Sequence, residues 1–195
     1  MTQAFVLGNG VSRQNISLSQ LQSHGKIYGC NALYREFAPD VLIATDTPIA
    51  TKIQESGYAK KNRFYTRRPI EGLGALMVPV QYHGYSSGPI AVSLACLDNN
   101  VTVYLLGFDM GPTENNKFNN IYADTEFYKL STATPTFTGN WVKQLCRVVT
   151  DYPQTQFIRV VGPTTADIAE LDVLPNLENK DLTTFLTSIN NKKDL

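Results

Sequence analysis

The sequence predicts an α/β fold in which a mainly parallel sheet is covered by helices on both faces. Two observations support this prediction: strand-like and helix-like segments alternate along most of the chain, and several strands are apolar at consecutive positions. Such apolar runs are typical of parallel strands that are buried on both faces. With 195 residues, 43% of them hydrophobic, the chain is long enough to bury a substantial core in a single domain.

The predicted elements follow one another in order from the N-terminus. Strands are predicted at 4–7, 26–30, 41–45, 63–66, 101–106 and 156–161. Helices are predicted at 18–21, 32–37, 48–56, 90–97 and 139–150. Pro48 and Pro89 suit the first turn of a helix, where a backbone N–H has no helical partner. The repeated strand–helix–strand order predicts a parallel sheet.

Two segments lack the hydrophobic periodicity of a helix or a strand. Residues 67–85 are interrupted by glycine, and residues 111–139 are rich in Asn, Thr, Pro, Phe and Tyr. A segment as long as the second is typical of a lid or a binding loop. We therefore predict one domain over 1–167 with a lid-like loop at 111–139, and a polar C-terminal extension at 168–195 whose end, Asn190 to Asp194, frays.

Charge and cysteine content limit the classes of function. Seventeen basic and seventeen acidic residues give a formal net charge of zero, so no overall field attracts nucleic acid. Cys30, Cys96 and Cys146 are widely spaced and predict reduced thiols of a cytoplasmic protein. No apolar run has the length of a signal peptide or an integral membrane segment. The neutral, moderately apolar composition is compatible with a homo-oligomer.

The first predicted strand ends at Gly8-Asn9-Gly10, which is followed by Val11-Ser12-Arg13. Glycines after a strand allow the backbone to approach a phosphate closely. A dinucleotide fingerprint would need a third glycine where Arg13 stands and an acidic residue where the second strand ends on Asn31. The turn therefore predicts a nucleotide or phosphate site of another kind, and a plain strand-to-helix connection is the alternative.

Polar residues follow several of the predicted strands. Asn9, Asn31, Asp46 and Asp109 each come just after a strand, and Ser87-Gly88 opens an apolar helix. In open parallel sheets, ligands bind at the carboxyl ends of the strands. We therefore expect these segments to meet at one edge of the sheet.

Three groups of residues are further candidates for chemistry. Asp46 and Asp109 could hold Mg²⁺ on a nucleotide phosphate, with turn or helix-capping roles as the alternative. His83, just before the serine–glycine turn, is a candidate base, with a surface-loop histidine as the alternative. Five basic residues suit either a substrate phosphate or a solvated surface, and they are Lys60, Lys61, Arg63, Arg67 and Arg68.

The motifs together resemble those of the bacterial sialyltransferases of the Campylobacter type and, equally, those of the archaeal 6-hydroxymethylpterin diphosphokinases and related uncharacterised proteins. The resemblance covers a little over half of the chain, from about Phe5 to Met110, and rests on order and spacing. The matching motifs are Gly8-Asn9-Gly10-Val11-Ser12, Cys30-Asn31, Asp46-Thr47-Pro48, Ser87-Gly88 and Val103-Tyr104-Leu105-Leu106-Gly107-Phe108-Asp109. The resemblance implies a Rossmann-like nucleotide-binding domain.

The resemblance also implies roles for single residues. Asn9 would contact the donor near its phosphate and reacting centre, and Asn31 would bind the nucleotide. Ser87 and Gly88 would help to hold the nucleotide. Asp46 stands where the sialyltransferases have an asparagine, and a carboxylate there is closer to the diphosphokinase-like relatives.

Part of the sialyltransferase pattern has no counterpart in this chain. Those enzymes use a histidine base in a flexible lid, whereas His24 and His83 both lie outside the corresponding region. Tyr122 and Tyr128 could replace the tyrosines that steady the donor phosphate.

The sequence thus predicts a sialyltransferase-like glycosyltransferase that binds a CMP-type nucleotide or a nucleotide sugar. A Mg²⁺-dependent diphosphokinase-like transferase and a non-catalytic nucleotide-binding protein are the alternatives. The predicted nucleotide-binding residues are Gly8, Asn9, Gly10, Ser12, Asn31, Asp46, Ser87 and Gly88. The predicted catalytic residues are Asp46, His83 and Asp109, and the predicted metal ligands are Asp46 and Asp109.

Overall fold

A single eight-stranded sheet organises the chain, and every pair of neighbouring strands in it is parallel. The computed structural model describes residues 2–191. In chain order the strands are β1 (Gln3–Leu7), β2 (Lys26–Cys30), β3 (Val41–Ile43), β4 (Phe64–Thr66), β5 (Leu76–Met77), β6 (Thr102–Leu106), β7 (Gln156–Val161) and β8 (Leu177–Asp181). Across the sheet the order is β5-β4-β3-β2-β1-β6-β7-β8.

Helices cover both faces of this sheet, so the predicted Rossmann-like, three-layer α/β fold is confirmed. The helices are α1 (Leu18–Gln22), α2 (Thr47–Glu55), α3 (Ser87–Leu97), α4 (Gly139–Asp151), α5 (Ala169–Asp172) and α6 (Leu182–Asn191). Helices α3, α4 and α5 pack on one face, and α1, α2 and α6 pack on the other. Within residues 2–191, no helix combines the length and the apolar character that crossing a membrane requires.

The consecutive apolar residues of the central strands follow from this layering. In β1, Ala4 and Val6 pack under the α3 layer, whereas Phe5 and Leu7 pack under the α1 layer. Because successive side chains of a strand point to opposite faces, a strand between two helical layers is apolar at every position.

Helix α3 lies at the centre of its layer. It contacts β1, β2 and β3 on one side and α4 on another, and nearly all of its residues are buried. A helix that is buried all round is apolar all round, which explains why it has no polar face. Its first turn reaches the carboxyl end of β3, where Ser87 Oγ accepts a hydrogen bond from the backbone N–H of Thr45.

The polar C-terminal extension predicted at 168–195 needs correction, because residues 168–191 complete the domain. Strand β8 forms the sheet edge beside β7, and α6 buries Phe185 and Ile189 against the sheet. An edge strand needs little apolar surface, so the polar sequence of β8 conceals its place in the sheet. Asn190 and Asn191 belong to α6, and the rest of the predicted frayed end lies outside the described residues.

The structure confirms part of what the sequence predicts for the irregular segments. Residues 107–138, which include most of the predicted lid-like loop, contain neither an α-helix nor a strand within the described chain. The region 67–85 contains the two-residue strand β5 and a short 3₁₀ turn at Val80–Tyr82. The helix predicted at 32–37 is a 3₁₀ turn, Asn31–Arg35.

Candidate functional site

A cleft of 390 Å³ opens at the carboxyl edge of the sheet. It lies where the strand order reverses, because β2 to β5 extend from one side of β1 and β6 to β8 from the other. Loops leave such a point in opposite directions and create a crevice between them. The cleft walls come from the ends of β1, β2, β3, β4 and β6, from the first turn of α3, from the irregular segment and from the start of α4.

Most of the predicted site residues meet at this cleft. Those that line it are Gly8, Asn9, Gly10, Asn31, Asp46, Ser87, Gly88 and Asp109. Ser12 and His83 are not among the lining residues. His83 is exposed at the end of the 3₁₀ turn that precedes α3, and this position does not support a role as a base in the cleft.

The glycines of the first turn are required by a close approach of two loops. A Cβ on Gly8 would lie 2.4 Å from the carbonyl oxygen of Gly107, and a Cβ on Gly10 would lie 2.3 Å from Cγ of Asp109. The backbone N–H groups of Gly8 and Gly10 donate to the carbonyls of Leu106 and Gly107. These two amides are therefore occupied by protein and do not form the open phosphate cradle that the sequence suggests.

The buried side chain of Asp109 accepts hydrogen bonds from three loops. Its side-chain oxygens accept hydrogen bonds from the backbone N–H and the hydroxyl of Ser12, from Nδ2 of Asn119 and from the hydroxyls of Thr164 and Thr165. A carboxylate has about four lone-pair positions, and these five donors fill them. Asp109 is 3% exposed, and its geometry supports a structural role rather than metal binding or base catalysis.

Asp46 follows β3 and is exposed at the cleft. It occupies the N-cap position of α2, but its side chain makes no capping hydrogen bond. Within residues 2–191, no hydrogen bond or ion pair engages its carboxylate. The helix-capping alternative for Asp46 therefore has no hydrogen bond behind it, and the exposed carboxylate is free for the predicted Mg²⁺.

Asn31, Thr45 and Ser87 form a polar network on the cleft wall. The Ser87 hydroxyl donates to Oδ1 of Asn31 at 3.1 Å and lies 3.0 Å from the Thr45 hydroxyl. Asn31 has a φ of 52°, in the left-handed region that asparagine tolerates better than most residues. The network ties the ends of β2 and β3 to the start of α3, and it leaves the Asn31 amide group as a donor toward the cleft.

Tyr128 brings the irregular segment to the first turn. Its hydroxyl oxygen accepts a hydrogen bond from the backbone N–H of Ala32 at 3.3 Å and a long one from Nδ2 of Asn9 at 3.5 Å. Burial raises the pKa of Tyr128 to about 12, so the phenol keeps its proton at neutral pH. The O–H group is thus a hydrogen-bond donor on the cleft wall. Oδ1 of Asn9 is buried without a partner in the described chain.

Tyr122, the other predicted tyrosine, lies outside the cleft in a buried chain of polar groups. Its hydroxyl donates to Glu36 at 2.5 Å and accepts from Nη2 of Arg13 at 3.2 Å, and Arg13 also donates to the carbonyl of Gly8. In the sequence, Arg13 indicates only that the third glycine of a dinucleotide fingerprint is missing. The structure shows that this arginine anchors the irregular segment to the first turn.

Phe127 extends from the same segment over the cleft. Its φ of 73° is strained for a bulky side chain, and such strain persists only where the surroundings impose it. Arg35 contacts this turn: its guanidinium donates to the Thr125 hydroxyl and the Glu126 carbonyl and lies 6.0 Å from the centre of the Phe127 ring. The segment therefore holds an aromatic wall in place.

Other reactive groups at the cleft are few. Burial raises the pKa of the Cys30 thiol to about 12, which makes this lining residue a poor nucleophile. Lys129 and Arg67 are the cations on the cleft wall. Of the predicted basic cluster, Arg63 instead forms an ion pair with Asp98 at 2.6 Å on the surface.

The cleft supplies one free carboxylate for a metal ion, which suits an ion that a substrate phosphate also binds. The described residues contain no group of three or more His, Cys, Asp or Glu side chains that could hold a metal ion. Of the two predicted Mg²⁺ ligands, only Asp46 has free oxygens, and Mg²⁺ can bind through one carboxylate together with substrate phosphates.

Comparison with family models, with curated proteins and with solved structures finds no match to this chain.

Proposed function

We propose that the protein is a sialyltransferase-like glycosyltransferase that binds a nucleotide sugar in the cleft. The observation that supports this proposal most strongly is the convergence of predicted residues from separate segments at the switch point of the sheet. The cleft volume of 390 Å³ lies within the range of roughly 300–1,000 Å³ that is typical of small-molecule sites.

The polar groups on the wall supply what a nucleotide needs. The Asn31 amide group can hydrogen-bond to a base or a ribose. The first turn of α3 and the Tyr128 O–H offer donors to phosphate oxygens. Phe127 provides an apolar surface against the ligand.

Asp46 is the proposed general base. In the proposed step, an acceptor hydroxyl attacks the anomeric carbon of the donor sugar, and the bond from that carbon to the phosphate oxygen breaks. The leaving phosphate keeps the electron pair, and Asp46 accepts the proton of the hydroxyl. This assignment fits the exposed, uncommitted carboxylate and does not require the histidine that the sialyltransferases use.

Diphosphoryl transfer is the second candidate, and the free carboxylate of Asp46 is the observation in its favour. Bound Mg²⁺ would supply charge neutralisation on the phosphates. In that reaction the role of Asp46 would be to hold the ion, and loss of nucleotide affinity on chelation would identify it.

The experiment is a thermal-shift screen followed by a turnover assay. The protein is tested against cytidine, CMP, other nucleotides and a panel of nucleotide sugars, each with Mg²⁺ and with EDTA. Asp46→Asn and Asn9→Ala are compared with Asp167→Asn, which changes an exposed aspartate outside the cleft wall.

Each outcome of the screen has a distinct meaning. Stabilisation by nucleotide sugars, with product formed and turnover lost in Asp46→Asn, supports the glycosyltransferase. Stabilisation without product contradicts catalysis and supports a non-catalytic binding protein. If no nucleotide raises the melting temperature, the proposal fails.

A further inference from the structure

Arg67 follows β4 directly and lies on the cleft wall. Its guanidinium is fixed from one side, because Nη2 donates to the carbonyl of Tyr85 at 2.6 Å and to the carbonyl of Gly84 at 3.4 Å. The side chain is partly buried. The arginine is therefore held in one orientation before any ligand arrives.

The charge of Arg67 is not neutralised by a carboxylate of the protein. Among residues 2–191, the ion pairs are Arg63–Asp98 and Arg147–Asp151. Nε of Arg67 is buried and has no hydrogen-bond partner in that part of the chain. A buried donor without a partner destabilises a fold, and the cost is larger for a charged group. Because Nε is shielded from solvent, it does not itself face a ligand, and the positive charge of the guanidinium is expressed through the terminal nitrogens.

The first turn of α3 adds positive potential beside Arg67. Tyr85, which holds the guanidinium, is followed at once by the N-cap residue Ser86, whose side chain makes no capping bond. The N–H groups of Ser87 and Gly88 have no helical partner, and the dipole of an 11-residue helix places partial positive charge there.

The neighbouring basic residues serve as an internal comparison. Arg63 is bound in a bidentate manner by Asp98, and Arg68 is exposed and does not line the cleft. Arg67 is thus the member of the basic cluster that combines a cleft position with a fixed, uncompensated guanidinium.

We propose that Arg67 binds an oxyanion of the ligand, either a phosphate or a sugar carboxylate, and so makes the cleft selective for anionic ligands. Nη1 of Arg67 makes no hydrogen bond to residues 2–191, and its two N–H groups can donate to either anion. The inference rests on the proposed function for the identity of the whole ligand, whereas the anion site itself can be tested separately.

Matched ligand pairs identify which anion Arg67 recognises. CMP and cytidine differ by a phosphate, and UDP-glucuronic acid and UDP-glucose differ by a carboxylate. Affinities are measured by calorimetry for the wild type, Arg67→Met, Arg67→Lys and the control Arg68→Met. We expect Arg67→Met to weaken, by about tenfold or more, the member of one pair that carries the distinguishing phosphate or carboxylate, and to leave the member without that group within about twofold. The affinity of Arg67→Lys for the same anionic ligand should lie between those of the wild type and Arg67→Met.

The melting temperature of the free variant shows how far Arg67 also supports the fold. Arg67→Met removes the hydrogen bonds to the carbonyls of Tyr85 and Gly84 together with a buried donor that has no partner, so we expect the two effects to offset each other in part. Equal weakening of both members in both ligand pairs would overturn the proposal.

Inorganic phosphate, tested alone by thermal shift, keeps this inference distinct from the proposed function. Stabilisation by phosphate that Arg67→Met abolishes supports the anion site even if no nucleotide binds, in which case only the proposed function fails. Nucleotide binding that is insensitive to Arg67→Met rejects the anion site and leaves the proposed function standing.

Discussion

Asp46 and Asp109 each follow a strand of the same sheet and line the same cleft, yet their carboxylates have opposite surroundings. Asp109 is buried under five donors from three loops, whereas Asp46 is exposed and has no protein partner in the described chain. The position of an aspartate after a strand therefore does not determine its role. The donors that reach it decide whether it is available to a ligand.

The largest effect on stability is expected for Asp109→Ala. The substitution leaves buried donors from three loops without their acceptor, and we expect the free energy of unfolding to fall by about 3–5 kcal/mol. Urea denaturation measures the change, with Asp46→Ala as the matched control. A loss below about 1 kcal/mol would contradict the structural role of Asp109 and thus its contrast with Asp46.

Gly10→Ala tests the close packing around the same carboxylate. The backbone of Gly10, with φ −64° and ψ 146°, suits alanine, so the cost arises from the Cβ that would lie 2.3 Å from Cγ of Asp109. We expect a loss of about 2 kcal/mol. Gly84→Ala is the control, because no atom lies within 4 Å of the added Cβ. Combined with Asp109→Ala, the Gly10→Ala loss should shrink.

Asp98 is an intermediate case, a partly exposed carboxylate with charged partners. Burial raises its pKa, but hydrogen bonds from Arg63 and Tyr28 outweigh burial and hold the pKa below its ordinary value. A depressed pKa gives stability that is present at neutral pH and is lost as the pH falls below about 4. We expect Asp98→Asn to lose about 1 kcal/mol at pH 7 and less in acid, measured by urea denaturation at several pH values. A pH-independent loss would contradict this explanation.

The smallest effect on stability is expected for Asp46→Asn. Because the carboxylate has no protein partner, the free energy of unfolding should change by less than about 0.5 kcal/mol. Chemical denaturation of this variant beside Asp167→Asn provides the measurement. A large loss would show that Asp46 is committed to the fold, as Asp109 is, and would weaken its assignment as the base.

The sheet was predictable because its signals are local. Apolar runs such as Val103 to Leu106 and the prolines at the starts of α2 and α3 are visible within a few residues. Strand β8 escaped prediction because an edge strand carries little apolar signal, and β5 escaped because it has only two residues.

The sequence could predict that polar residues after several strands line the cleft, but it could not predict the role of each side chain there. Strand ends identify which residues share an edge of the sheet. The donors around Asp109 come from Ser12, Asn119, Thr164 and Thr165, which no short sequence window contains together. The uncompensated state of Arg67 likewise depends on where every carboxylate lies in three dimensions.

The central position of β1 has a consequence for synthesis of the protein. Strand β1 is synthesised before the other seven strands of the sheet, yet its partner on one side is β6, and the hydrogen bonds between Ser12 and Asp109 join residues 97 positions apart. Closing so long a loop is slow, and the cleft cannot form until the Asp109 loop has emerged. Until then, one edge of an apolar strand remains open, and an unpaired apolar edge exposes the growing chain to aggregation.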